Sequence, residues 1–567
     1  MTIDRLIEQA GDSNPQIFRE LKERLTLRNI SIAVAGALII QVLVLMYFNA
    51  QIPIPILSEH PSDSSGLYRS THNRYCDFAN NFNSLRYDQC QIDGGSSFRI
   101  NWQRWQADVF ICLSFILPFG LILGSVYMLV TDLVREEKRG TLNFIRLSPQ
   151  SAKQIFGGKI LGVPILVYIA ALVMLPLHLY LGCSAGSNLL YVGGWYLAIG
   201  SLWCLFASLS VLYVLLGGSQ SILTTLVVSY PAWMPIVTIN SFTSLTLNSD
   251  DSSGNSWWYE IPVFKNVISD IIGWGKSWFG IPVFSNAIRF DIFVTICFLV
   301  VSYWVWQALE RRYLNPTATI ISKSQSYSAN LCWQVWIAGF VIPALAQNSS
   351  YDKASLGCLA GMDIIVLSLL IPLLLPSKQA LQDWSRYRRE RFTHQHRQFW
   401  QRELVQDLIH NNKSPALLAI ALNIGMVMVL WIPISILFKD FSYGINILSG
   451  IGLGASVILI YAAIAHLGLF INVKNRKLWI TALVGGVILA PSLMAWLLST
   501  SHAPTELVSL LLLFSPFAVI GISQSGGVSI LGALVAQLAI FAALTRQLQQ
   551  KLQISGRSQT QELTGSN

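Results

Sequence analysis

The sequence predicts an all-α fold: a polytopic transmembrane helical bundle of about twelve spans in two six-helix halves. Three observations predict it. Hydrophobic residues make up 53% of the 567 and charged residues only 12%, about half the charged share of a soluble domain, so water cannot solvate most of this surface. Apolar runs close to the ~20 residues that a bilayer core demands recur along the chain. The 18 Trp and 19 Tyr suit a protein with two interfaces to line.

The runs fall at 30–48, 108–131, 160–182, 190–216, 221–240 and 289–309, then at 330–347, 354–375, 415–437, 445–471, 478–499 and 526–545. The first is too long for a signal-peptide core and reads as a retained span. An even number of crossings puts both termini on one side. Most of the 38 Lys and Arg fall on that side, including Arg5, Arg19, Lys22, Arg24 and Arg28 and the loops 132–159 and 376–414. Both termini are therefore expected in the cytoplasm. A shorter stretch, 506–522, is broken by Ser515-Pro516 and is expected to form an outer re-entrant or interfacial hairpin.

The domain reading follows. Residues 1–29 are a cytoplasmic amphipathic segment. Residues 30–316 form a first six-span domain with an outer loop 50–107, a cytoplasmic loop 132–159 and an outer re-entrant segment 240–288. A linker 317–329 leads to a divergent six-span domain 330–547 and a polar tail 548–567. Within 240–288, Ile261-Pro262-Val263-Phe264 recurs as Ile281-Pro282-Val283-Phe284, which predicts two short helices, each entered through a proline. The net charge of +9 sits in short clusters between apolar runs, too dispersed for a nucleic-acid surface. The eight Cys include no C-x-x-C, and no metal site is expected. Cys76 and Cys90 share the outer loop, where they are either a disulfide or two free thiols.

The most informative stretch runs from Arg135 to Lys159. Its sequence reads as a charged helix end (Glu136, Glu137, Arg139), a break at Gly140, and a short helix with Leu142, Phe144 and Ile145 available to a partner. Ser148 is expected to cap the next helix with Pro149 in its first turn, and Gly157-Gly158 to loosen the approach to the third span.

Glu137, Gly140, Thr141, Leu142, Leu147, Pro149, Gly158 and Lys159 resemble the E-x-x-G-T-L, Leu, Pro and G-K pattern of the ABC-2 type ABC transporter permeases, here as two fused six-span domains. The resemblance covers the first half well. The second half keeps Ser414-Pro415 but has no G-T-L. What the resemblance implies is a permease of a bacterial plasma (inner) membrane, an exporter of an unknown substrate. Its ATPase-coupling residues would be Glu136, Glu137, Arg139, Gly140, Thr141, Leu142, Leu147, Pro149 and Lys159. The partners would be ABC ATPase subunits, which carry the ATP-Mg.

The chain itself is expected to bind no cofactor and not to be an enzyme: it has no G-x-x-x-x-G-K-[ST], no H-E-x-x-H, no G-x-S-x-G and no catalytic cluster. Intramembrane ionisable residues are few. His178 and His466 read as structural, and Asp363 as a candidate polar site. Two rival readings stand beside the permease: an ion- or proton-coupled secondary transporter built on Asp363, and a non-transporting membrane scaffold.

Overall fold

In a computed structural model the protein is described over residues 11–12, 14–53, 73, 75, 92–93, 97–218, 222–247, 277–347, 350–392, 402–438, 440–471, 476–500, 504–522 and 525–555. Cys76, Cys90 and the first copy of the repeat lie outside these residues. Apart from a two-residue antiparallel ladder, Ile92–Asp93 with Ser97–Phe98, the regular structure described is helical. Ten of the described helices are long and apolar enough to cross a membrane, so the protein is a polytopic α-helical membrane protein. The chain divides into two compact units, the first ending at Glu310. The described residues 277–282 belong to the second.

The first unit contains α1 (Pro15–Arg24), α2 (Leu27–Asn49), α3 (Trp102–Arg139), α4 (Thr141–Arg146), α5 (Ala152–Gly162), α6 (Ile165–Ser184), α7 (Leu189–Leu215), α8 (Ile222–Ser229), α9 (Trp233–Leu247) and, as far as Glu310, α10 (Ala287–Leu314). Short polar side chains start these helices by accepting orphan backbone N–H groups: Asn14 from Gln16, Asn101 from Arg104, Asn188 from Leu190. Pro15 stands at the first position of α1, where its missing N–H costs nothing. At 38 residues, α3 is about 57 Å long, against a hydrocarbon core of about 30 Å, so its ends project beyond the bilayer. It packs against α6, α7 and α9 around a core that includes Phe110, Leu113, Trp195 and Phe290.

Two expectations are corrected here. The run 221–240 is not one helix: the chain turns through a single 3₁₀ turn, Tyr230–Ala232, because Pro231 cannot donate to the α-helical ladder. The second copy of the repeat is not a separate short helix. Val283–Ser285 is a 3₁₀ turn, and Asn286 Oδ1 accepts from the N–H of Ile288, leading straight into α10.

The second unit contains α11 (Lys323–Gln347), α12 (Ser350–Leu374), α13 (Lys378–Phe392), α14 (Arg402–His410), α15 (Leu417–Leu437), α16 (Phe441–Gly468), α17 (Arg476–Thr500), α18 (Thr505–Leu513), α19 (Ala518–Ile522) and α20 (Gly527–Ser555). The interval 317–329 therefore includes the first turns of α11. The stretch 506–522 folds as two short helices around Ser515-Pro516, packed so closely that a Cβ on Gly521 would lie 2.8 Å from Leu512 Cβ. The bend rests on α16, where a Cβ on Gly450 would meet Val519 Cα at 2.7 Å, and Gln537 Nε2 of α20 donates to Leu513 O at 2.9 Å.

Three of the helix-interior prolines, one in the first unit and two in the second, have the same effect. A proline inside a helix leaves the carbonyl four residues earlier without its donor. Lipid cannot satisfy that oxygen, and at these three another group of the protein does. Pro118 frees Ser114 O, which accepts from Asn240 Nδ2 at 2.9 Å. Pro343 frees Gly339 O, which accepts from the N–H of Phe279 at 2.8 Å. Pro491 frees Val487 O, which accepts from Tyr461 Oη at 3.2 Å.

Candidate functional site

Gly140 ends α3. Its φ of +74° is left-handed backbone that glycine adopts without strain. Its N–H closes onto Glu137 O at 3.0 Å, and Thr141 Oγ1 donates to Glu136 O at 3.1 Å, so the turn into α4 is fixed from both sides. Of the three apolar residues expected to face a partner, Leu142 is buried at 3% exposure and Ile145 is half-buried. Phe144 is 79% exposed, and Leu147, three residues on, is 85% exposed. These two form the outward apolar pair.

The next helix starts differently from the expectation. Ser148 does not cap it. Its hydroxyl donates backwards to Ile145 O at 2.7 Å, and Pro149 lies in the turn between α4 and α5. The cap is Ser151, in a reciprocal capping box with Gln154. Nor do Gly157-Gly158 loosen anything. Both lie inside α5, and Gly158 with Gly162 forms a small-residue groove for α1. A Cβ at Gly158 would lie 2.8 Å from Gln16 Cβ, and one at Gly162 2.6 Å from Glu20 Cβ. Asn14 Nδ2 fastens the start of α1 by donating to Gln154 O at 2.7 Å.

That close approach brings Glu20 to Lys159, which is fully buried. Its Nζ lies 2.8 Å from Glu136 Oε2, 2.9 Å from Asp132 Oδ2 and 3.3 Å from Glu20 Oε1. The Glu136 contact is Coulombic, off the hydrogen-bonding direction, whereas the other two are hydrogen bonds. Arg24 closes the far side, 2.6 Å from Asp132 and 3.3 Å from Glu20, and Arg19 pairs with Glu136 at 2.7 Å. Three carboxylates meet three cations, so the formal charge cancels. The three carboxylates converge as they would on a metal ion, but the Lys159 ammonium stands among them. Burial pulls the Lys159 pKa down. The carboxylates of Asp132, Glu20 and Glu136 outweigh it and hold the group above its ordinary value, so it stays charged.

The structure thus joins Glu136 and Lys159 and adds Glu20, Asp132, Arg19 and Arg24, which the sequence reading missed. Glu137 and Arg139 are exposed and stand apart from the cage. Lys153, on the outer face of α5, lies 3.6 Å from Glu310.

The intramembrane groups are placed as follows. Asp363 lies at the middle of α12, fully buried, and accepts from Trp333 Nε1, Gln334 Nε2 and Trp431 Nε1. His178 pairs with Ser114 Oγ at 2.8 Å and Tyr196 Oη at 2.7 Å. His466 Nε2 accepts from the N–H of Ala416 at 3.1 Å. Asp291, also missed, is buried in α10 beside Gly194, and neither carboxyl oxygen has a hydrogen-bond partner among the described residues.

Comparison with protein-family models, with curated proteins and with solved structures finds no match to this chain.

Proposed function

We propose that this chain is the membrane-spanning permease subunit of an ATP-driven transporter, an exporter, coupled to a separate ABC ATPase through α4. One observation carries the reading. A short helix with a bare Phe144–Leu147 pair hangs from the end of a span much longer than the bilayer, and its base is fixed by the Gly140 turn and the Lys159 cage. Exposed aromatic and aliphatic anchors on a rigid mount are what a partner's pocket takes up. The mount matters because a flexible one would absorb a push from the partner instead of passing it into α3. On this reading the loop 132–159 and both termini face the cytoplasm, as the distribution of basic residues favours.

The test is co-expression with candidate ABC ATPases and reconstitution in lipid. The chain raises ATP hydrolysis over the ATPase alone. The double variant Phe144→Ser, Leu147→Ser abolishes that gain and leaves the melting temperature unchanged, since both side chains are exposed. Undiminished stimulation in the double variant, or cargo moved without nucleotide hydrolysis, overturns the reading.

A further inference from the structure

The first unit holds an acid that nothing above uses. Asp291 stands in the second turn of α10 and is fully buried. Neither of its carboxyl oxygens accepts a hydrogen bond, and no cationic side chain among the described residues pairs with it. The nearest hydroxyl of its own helix is spent elsewhere, since Thr295 Oγ1 donates to the backbone carbonyl of Asp291 at 2.6 Å.

The neighbours explain the isolation. The carboxyl meets α7 at Gly194, where a Cβ would lie 3.2 Å from Asp291 Oδ2 and 3.4 Å from Asp291 Cβ. It therefore rests on bare helical backbone, whose N–H groups are used by the ladder of α7 itself. The adjoining Phe290 and Trp195 belong to the apolar core of the unit. At this level the titratable groups of both helices have other partners. On α7, Tyr191 Oη accepts from Asn286 Nδ2 at 3.4 Å, and Tyr196 Oη pairs with His178 Nδ1 at 2.7 Å. On α10, Arg289 is exposed and donates to Ser285 Oγ at 3.1 Å.

Asp363 of the second unit is equally buried and differs in kind. Three N–H donors, from Trp333, Gln334 and Trp431, converge on its oxygens. An ionised carboxylate is acceptor-only, and such donors satisfy it. A bare carboxylate in an apolar contact would carry the whole cost of its lost hydration, and a group so placed neutralises instead.

We propose that Asp291 is a reversible proton-binding site of the first unit, occupied while α10 lies against Gly194. Ionisation in that contact has nothing to compensate it, so the proton leaves only where water reaches the carboxyl. The protonation of one acid is thereby tied to the packing of α10 on α7, whether or not the chain couples to an ATPase.

A neutral acid at such a place has a diagnostic reaction with a lipid-soluble carbodiimide. The acid proton passes to one nitrogen of the reagent and the carboxyl oxygen bonds its central carbon. The O-acylisourea so formed rearranges by acyl shift to a stable N-acylurea, and nothing is released. Ile292 and Ile296, next to Asp291 and one turn beyond it, are exposed, so an oily reagent reaches this part of α10.

The test treats the full chain in detergent micelles with dicyclohexylcarbodiimide and maps the modified residue by peptide mass spectrometry. The label is expected on Asp291 and not on Asp363. It is strongest near about pH 6 and falls at least about tenfold towards about pH 10, because only the protonated form reacts. Infrared spectra supply a second readout: a carboxylic-acid C=O band that fades over the same range and is missing in Asp291→Asn. Mapping the label on the unaltered chain gives the answer even where that variant does not fold. Absence of both the label and the acid band near about pH 6 overturns the proposal. A label and band at Asp291 that do not change with pH overturn it as well, because they mark a fixed neutral acid.

Discussion

Among the described residues each unit buries one lysine, and the two are held in opposite ways. Lys159 sits among three carboxylates that are themselves held by arginines, so charge cancels within one cluster. Lys323 hydrogen-bonds two carbonyls and a hydroxyl, neutral acceptors near the end of α14, while the buried Asp363 of α12 pairs with no cationic side chain among the described residues. Local cancellation makes a closed joint that only mechanical force or mutation opens. Separated charges leave the acid to neutral N–H donors alone.

The sharpest test of the contrast removes each ammonium. Lys159→Met leaves three carboxylates, two of them buried, to two arginines, and is expected to cost about 3–5 kcal/mol. Lys323→Met strands three neutral acceptors, with the Asp407 carboxylate acting on it only at longer range, and is expected to cost about 1–3 kcal/mol. Chemical denaturation in mixed micelles measures both, and a reversed order breaks the comparison. A smaller effect is expected from the groove beneath α1. Gly162→Leu forces Glu20 away and is expected to cost about 1–3 kcal/mol by overpacking. Limited proteolysis of the N-terminal segment reports it, with faster cleavage at α1 in the variant and no change in cleavage of the second unit.

The smallest effect concerns pH. The folded pKa of Lys159 is raised, so its contribution is complete below the unfolded value of about 10.4 and fades only as pH climbs through the higher folded value. Cleavage at α1 is therefore expected to stay constant from about pH 6 to about pH 9 as far as Lys159 sets it. Protease kinetics at several pH values check this.

Much of this was legible in the sequence. Apolar length gave most of the spans, though not 221–240, and Gly140, after a charged helix end, gave the turn. Glu136 and Lys159 were singled out, though through a motif in which Glu137 was the matched acid. What stayed hidden has a common cause. Hydrophobic periodicity points polar faces at water, yet α1 turns Gln16 and Glu20 inward. The available signals were Gly158-x-x-x-Gly162, a small-residue docking stripe, and Glu20 with Arg24 one turn later. A buried polar column between α11 and α15 escaped for a related reason. Ser326, Asn330, Gln334 and Asn423 are each unremarkable in a helix, and only the neighbouring helix makes them a set. Asp291 carries no sequence signal beyond its depth in a span.

The prolines have a further consequence. Hydrophobicity cannot tell a helix in lipid which neighbour to choose, because the tails are as oily as the side chains. Ser114, Gly339 and Val487 each hold out a carbonyl that its own helix has relinquished, and each is answered by one group elsewhere in the chain. Such oxygens act as address labels. Exchanging Pro118 for alanine would restore the donor of Ser114 O within α3 and so withdraw its label, leaving Asn240 Nδ2 without its acceptor and the pairing of α3 with α9 less specified.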